Sequence, residues 1–421
     1  MGCVLMLIIA PTPWYDAQYL IPLAGMLINN SLTGMALALN QMIDYLVSNK
    51  EHVEILLSFG ATPWEAARPG FTKSIQAALI PQINGMNVVG LVSIPGMMTG
   101  QILGGASPLK AAKYQMVITF LISGCTFTAV SIAGILTIRA FFDERGRHDM
   151  ESIKKQTAKK ISQCLDLSML WRKTKDPAPS PMTDSHAPLL SDGGKNDPLN
   201  LDLVLKPHKQ CSAVNGAEVL NLEVEGHVAG KRRLQASLQL KQGEVCAIMG
   251  PSGIGKSTML QWICDLRTCT RATMSLHGRG SHSMTPQAWR RDVMYVHQSK
   301  SPLPGTPRDL VHLVERLAVN KGRPSLNPVP CLQAFGLEEG FLDRPWNELS
   351  GGESQRMIIS IAISTAPACL LLDEPTSALD DATKKLVEGK FQAADRCVLF
   401  VTHDEAQAAR IATSVWRMSE A

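Results

Sequence analysis

Residues 243–258 read GEVCAIMGPSGIGKST, and the fold of the second half of the chain turns on them. A short apolar run, VCAIM, enters a glycine-rich loop: Gly250, Pro251, Ser252, Gly253, Ile254, Gly255, Lys256 and Ser257, then Thr258. The helix-forming stretch MLQWICDL follows. Glycines let backbone N–H groups curl around phosphate oxygens, and a helix starting there aims its positive end at the same charge. Lys256 is placed to reach the β- and γ-phosphates, and Ser257 to ligate Mg²⁺. The pattern predicts strand, phosphate loop and helix, and hence an α/β architecture built around a nucleotide.

Two later stretches extend this reading. In ACLLLDEPTSALD, residues 368–380, an apolar run ends in Asp373 and Glu374. Asp373 fits the Mg²⁺-holding carboxylate of phosphate-loop ATPases, and Glu374 is then placed to polarise the attacking water. In LSGGESQR, residues 349–356, Ser350, Gly351 and Gly352 precede a helix and make a second anion-binding helix N-terminus. One phosphate loop but two phosphate-binding ends in one chain suggest ATP sandwiched between two copies.

On these residues the C-terminal half resembles an ABC-type ATPase. The resemblance implies that LSGGESQR is the signature covering the γ-phosphate of ATP held by a partner subunit. It implies that Gln298, in VMYVHQS, is the Q-loop glutamine joining the Mg²⁺ region to the membrane-domain contact. Ser377–Asp380 matches the D-loop, and His403, in LFVTHD, is similar to the switch histidine. The expected cofactors are ATP and Mg²⁺, with Ser257, Gln298 and Asp373 on the metal and Glu374, His403, Gln298 and Lys256 serving hydrolysis. One position departs from the family. The aromatic residue that stacks on adenine is replaced by His227 in EVEGHVAGKRRLQASLQL. Imidazole can stack, less well than phenol, and an ordinary exposed histidine remains the alternative.

The N-terminal third is different in kind. Residues 17–40 and 75–103 carry no charge, and 114–141 carries Arg139 near one end. Each is long enough to span a bilayer, although Pro81 and Pro95 break the second. Residues 2–10 look like the tail of a further span, so the chain is expected to begin partway through its membrane domain. Arg and Lys in DERGRHDMESIKKQTAKK, after Phe142, favour the cytosol and put residues 41–74 on the same side.

Within that region lies GATPWEAARPG, residues 60–70. Pro63 is expected to start a short helix, with Pro69 and Gly70 ending it and Ile75 beginning the next span. The piece resembles an ABC coupling helix, with Trp64 as its apolar anchor. A polar helix is predicted over about 143–170. Residues 175–210, rich in Pro, Ser, Asp and Gly, read as a flexible tether.

Composition narrows the function. The 421-residue chain has a net charge of +4, too small to argue for nucleic acid. Its ten cysteines form no CxxC pair, which argues against a zinc site or a disulfide scaffold. The stretches GATPWEAARPGFTKSIQAALIP and VGLVSIPGMMTGQILGGASPLKAAKYQMVITF resemble the Fet-type iron-export permease, whose family includes plant aluminium-sensitivity and aluminium-tolerance permeases. FGLEEGFLDRPWNELSGGESQR resembles the partner ATPase of that system.

The expectation is a multi-domain chain, with all-α transmembrane helices followed by an α/β P-loop ABC ATPase domain with a helical subdomain. Residues 1–142 form a partial permease, 143–215 a linker and 216–421 the ATP-binding domain. The function implied is ATP-driven transport, with metal-ion export ahead of a sugar nucleotide or other organic solute. A membrane-anchored ABC ATPase without transport is the remaining alternative. Expected partners are a second ATPase copy, membrane lipid and a transported solute or metal ion, with no nucleic acid. Met97 and Met98 are soft thioethers, poor ligands for Fe(III), and are assigned to packing.

Overall fold

The computed structural model describes residues 17–88, 96–105, 107–147, 203–210, 217–228, 232–298, 303–392 and 396–420. The expected span remnant at 2–10, and most of the predicted polar helix and tether, lie outside them. The chain divides into two compact units: one joins Met1–Val53 to Trp64–Ala140, and the other joins Glu54–Pro63 to Phe141–Ala421.

Helices build the first unit: α1 (Ala17–Ser48), the first turn of α2 (Lys50–Ser58), α3 (Pro63–Val88), α4 (Gly96–Leu103) and α5 (Pro108–Phe141). At 1.5 Å per residue, α1 and α5 reach about 50 Å, beyond the roughly 30 Å of a hydrocarbon core. Among the described residues these two are long and apolar enough to cross a membrane. Ile21, Ile28, Leu32, Phe120 and Leu136 stand exposed along them, as a lipid-facing surface requires.

Small residues let α1, α3 and α5 approach closely. A Cβ on Gly34 would meet Thr126 Cγ2 at 2.5 Å, and one on Gly134 would meet the Phe71 ring at 2.6 Å. Ala38, Ala78 and Val130 form one buried cluster, and Leu23, Leu27 and Ile118 another, against which Met97 packs.

Helix α3 corrects one expectation. It runs unbroken from Pro63 to Val88 with Pro69 and Pro81 inside, so Pro63 starts the helix but Pro69 and Gly70 do not end it. Proline removes one backbone bond, yet Ala66, Ala67, Gly70, Ser74 and Ala78 make a continuous buried stripe. Burial along that stripe outweighs the local preference. The charge-free run 75–103 is likewise divided between α3 and α4, and residues 89–95 lie outside the described residues.

The second unit is an α/β domain. In chain order its elements are β1 (Leu203–Gln210), β2 (Glu218–Val228), β3 (Arg232–Lys241), β4 (Val245–Met249), α6 (Lys256–Ile263), β5 (Arg271–Leu276), β6 (Arg279–Gly280), α7 (Pro286–Asp292) and β7 (Val293–Val296). Then come α8 (Pro307–Arg316), α9 (Val329–Ala334), α10 (Gly351–Ser364), β8 (Cys369–Asp373), α11 (Asp381–Gln392), β9 (Cys397–Val401), α12 (Glu405–Ile411) and β10 (Ser414–Glu420). The described strands form one sheet in the order β6-β5-β2-β3-β1-β10-β4-β9-β8-β7.

Strands β10, β4, β9, β8 and β7 run parallel. The runs VCAIM, VMYV, CLLLD and CVLFV are buried throughout, as strands covered on both faces must be. Helices α8 to α10 fill the interval between β7 and β8 as the helical subdomain.

Two linker expectations change. Residues 203–210 are not tether: β1 pairs antiparallel with β10 and parallel with β3, burying Leu203 and Leu205. Pro207, one of the prolines of that stretch, sits where the register shifts, the place a strand tolerates proline. Residues 143–147 are a turn rather than the start of a polar helix. The Asp143 carboxylate accepts from the N–H groups of Arg145 at 3.0 Å and Arg147 at 2.8 Å, an Asx-type turn that competes with helix.

Candidate nucleotide site and its neighbourhood

Parallel strands β4, β7, β8 and β9 all end at one edge of the sheet, so chain direction alone gathers four motifs there. The phosphate loop follows β4. A Cβ on Gly250 would lie 2.8 Å from the Met418 carbonyl oxygen, and one on Gly255, at φ +114°, 2.7 Å from Val228 Cγ2. Ile254 is the buried anchor of the loop, while Pro251, Ser252 and Gly253 are exposed at its tip. Ser257 is exposed and Thr258 half-buried on the first turn of α6.

Lys256 is buried, and its Nζ donates to the carbonyl oxygens of Gly250 and Pro251, each at 2.9 Å. Burial lowers its pKa, and the carboxylates of Glu374 and Asp373 oppose that shift. Nζ also stands 3.2 Å from Nε2 of His403, which follows β9. The same Nε2 is 3.1 Å from Oε1 of Glu374. A bare Nε2 serves the lysine and a protonated one serves the carboxylate.

Glu374 adopts φ +46° just past β8, a conformation costing a non-glycine residue about 1–2 kcal/mol. It is over-determined by its surroundings. Its N–H donates to the Val401 carbonyl at 3.2 Å, and its own carbonyl accepts from Gln355 Nε2 at 3.0 Å and Ser377 Oγ at 3.1 Å. Oε2 accepts from Gln298 Nε2. Lys256, His403, Glu374 and Gln298 are therefore one connected group, although its outermost members, Lys256 and His403, lie 147 positions apart in sequence.

Asp373 is buried beside it, with Oδ2 accepting from the Tyr295 hydroxyl at 2.9 Å. Burial and the neighbouring Asp373 push that phenol well above its ordinary pKa.

Ser350 caps α10 reciprocally: its Oγ accepts from the Glu353 N–H at 3.3 Å, and Glu353 Oε2 accepts from the Ser350 N–H at 2.8 Å. Gly351 and Gly352 begin the helix against Ala378 and Leu379. The His227 side chain is exposed on β2, with Nδ1 3.4 Å from Thr270 Oγ1. Its neighbour Val228 is the residue packed on Gly255. Among the described residues no group of three or more His, Cys, Asp or Glu could hold a metal ion.

A second cluster lies in the same unit. Segment 54–63 packs on α7 and on the short 3₁₀ turn 318–320. A Cβ on Gly60, at φ +87°, would meet the Gln287 carbonyl oxygen at 2.8 Å and Val319 Cγ1 at 3.0 Å. Glu54 Oε2 lies 3.9 Å from His297 Nε2. Trp64, 43% exposed, packs on Phe71 of its own helix, ring centroids 4.9 Å apart.

The turn after α5 is fastened here too. Arg145 Nε is 3.0 Å and Arg147 Nη2 2.6 Å from the buried Asp265 carboxylate. The buried Arg290 donates to the carbonyl oxygens of Arg145, Gly146 and Asp265. Burial lowers the Arg290 pKa, and Asp265 opposes it. Motif reading missed Tyr295, Asp265 and Arg290. Arg290 sits in a short basic run that reads as solvated, and Asp265, at φ +60°, carries only the weak signal of an acidic residue closing a helix.

Residues 1–142 match the uncharacterised protein family UPF0014, and residues 234–377 match the ABC transporter family. The chain is 36% identical over 150 residues to the probable iron export permease protein FetB of Escherichia coli, covering 36% of this chain and 58% of that one. It is 31% identical over 193 residues to the probable iron export ATP-binding protein FetA of the same organism, covering 44% and 85%. It is 35% identical over 185 residues to the putative ABC transporter ATP-binding protein YjkB of Bacillus subtilis, covering 43% and 73%. The chain thus spans about half the length of the permease relatives it matches.

Proposed function

The chain belongs to the ABC transporter family, with a UPF0014 permease region fused to an ABC ATPase domain, and on that premise we propose that it couples ATP hydrolysis to export of a metal ion. The observation that carries the reading is the joined set Lys256, His403, Glu374 and Gln298 at the edge where the phosphate loop ends.

In this mechanism residues 250–258 cradle the phosphates through backbone N–H groups, and Lys256 leaves its two carbonyl partners to contact the β- and γ-phosphates. Glu374 orients the attacking water. His403 and Gln298, already on its carboxylate, hold that geometry and sense the γ-phosphate. Exposed Ser350 and half-buried Gly351 and Gly352 serve the ATP of a second copy, so the working form is at least a dimer. His227 offers a face for adenine.

The residues suit Mg²⁺. Ser257, Gln298 and Asp373 supply a hydroxyl, an amide oxygen and a carboxylate, all hard donors, and Asp373 keeps Oδ1 outside its bond to Tyr295. Bound there, Mg²⁺ would neutralise charge developing on the phosphates.

Segment 54–63 is the coupling element in this reading. What supports it is the seat of Gly60 against Gln287 and Val319, inside the ATPase unit yet between α2 and α3. The ATPase side is cytosolic, following the Arg and Lys after α5. Iron is the favoured cargo because the two halves of this one chain match two separate chains, the probable iron export permease protein FetB and the probable iron export ATP-binding protein FetA.

The test is cellular. Cells expressing the protein should accumulate less iron or aluminium than cells expressing Lys256→Ala at equal membrane abundance. Equal accumulation of both metals would remove the export reading and turn attention to an organic solute or to an ATPase without transport.

A further inference from the structure

The metal-side carboxylate has a neighbour that the motifs do not announce. Tyr295 is buried on β7, in register with Leu371 on β8, two positions before Asp373. Its hydroxyl donates to Oδ2 of Asp373 at 2.9 Å. One carboxylate oxygen is thereby engaged by a neutral donor on a rigid ring, and Oδ1 is left for other bonds. The ring is itself seated. His297 stands edge-on to it, centroids 4.5 Å apart at 64°, and His297 Nε2 lies 3.9 Å from Oε2 of Glu54. Glu54 opens the segment 54–63 that packs within the ATPase unit.

We propose that Tyr295 is a positioning residue for Asp373, that His297 seats it, and that the two form a link from the buried metal-side carboxylate to the half-buried Glu54. A carboxylate that presents one oxygen to a divalent ion depends on a partner that fixes the other, and loss of such a partner typically weakens metal binding 10- to 100-fold. The placement is specific to this arrangement. Tyr295 lies three residues before Gln298, so its side chain and that of Gln298 reach neighbouring acidic residues, Asp373 and Glu374, from one strand end. The inference rests on the Mg²⁺·ATP reading above.

The experiment uses the full chain in detergent, with Mn²⁺ as an electron-paramagnetic probe and a non-hydrolysable ATP analogue. Tyr295→Phe keeps the ring and removes the donor. It should weaken Mn²⁺ binding roughly tenfold or more, with analogue binding in EDTA and the metal-free melting temperature unchanged. His297→Ala should weaken Mn²⁺ binding to a smaller degree, and the double variant should lose less than the product of the two. Unchanged Mn²⁺ affinity in Tyr295→Phe overturns the proposal. So does loss of metal-free nucleotide binding, which marks a structural role alone. Fully multiplicative effects sever His297 from the link. If the wild type binds no Mn²⁺·nucleotide, the functional reading itself has failed instead.

Discussion

The Asp265 clamp makes a demanding prediction. Its carboxylate is 2% exposed and faces Arg145 and Arg147, whose side chains are 23% and 16% exposed. Asp265→Asn removes the charge while keeping a side chain that tolerates the φ of +60° found there. Backbone strain is therefore not part of the effect. Removing one partner of a fully buried ion pair costs about 3–5 kcal/mol. Both arginines retain some access to water, so the loss here should be nearer about 2–3 kcal/mol.

For a domain of this size about 1 kcal/mol moves the melting temperature by roughly 2–4 °C, which gives a fall of about 4–12 °C. The buried Trp262 and Trp289, on α6 and α7 beside the clamp, report it through intrinsic fluorescence of the full chain. Adding Arg147→Leu to Asp265→Asn should recover part of the loss, because one uncompensated charge goes with it. A change below about 1 °C, or a double variant less stable than Asp265→Asn alone, would refute the reasoning that the pair fastens residues 143–147 to the ATPase.

Other perturbations separate the remaining roles. Glu374→Gln should keep ATP bound and slow turnover at least about 100-fold, read by phosphate release against nucleotide binding; turnover at the wild-type rate would unseat Glu374. Gly60→Ala meets a positive φ and the Gln287 carbonyl oxygen at 2.8 Å, so the segment must shift. ATP turnover should persist while metal export in cells falls, and undiminished export would discount the segment as a coupling element. His52 on α2 has its pKa lowered to about 4, by burial first and Lys73 second. A folded pKa below the unfolded value of about 6.5 means the unfolded state binds more protons between those values. The contribution of the neutral ring is thus present above pH 6.5 and lost as pH falls toward 4. His52→Gln should flatten that part of the stability profile in a pH-scanned melt, and an unchanged slope would reject the assignment.

Chemistry was more legible than architecture in this sequence. Lys256 and Glu374 stand out because phosphate chemistry demands particular groups at short, fixed spacings, whereas Gln298 and His403 stand out only through the likeness to ABC ATPases; parallel strands bring all four to one edge. Pro69 misled because proline's effect is local, whereas the buried stripe from Ala66 to Ala78 exists only once α1 and α5 are packed. Residues 203–210 misled for the opposite reason. They look polar and broken, and their strand character comes from the two neighbours they pair with. Tyr295 and Asp265 were invisible because nothing in a sequence records which buried polar atoms end up facing each other.

The sheet order has a consequence for biosynthesis. Strand β10 lies between β1 on one side and β4 on the other, so among the described strands it is the seam joining the antiparallel half to the half that carries the phosphate loop. A ribosome delivers GPSGIGKS long before it delivers residues 414–420. Until that last seam emerges, two half-sheets must wait with open edges, each a template for wrong pairing. A message cut short by that one strand would leave the phosphate loop with the ends of β7, β8 and β9 on one half-sheet and His227 on the other, with no ladder joining the two.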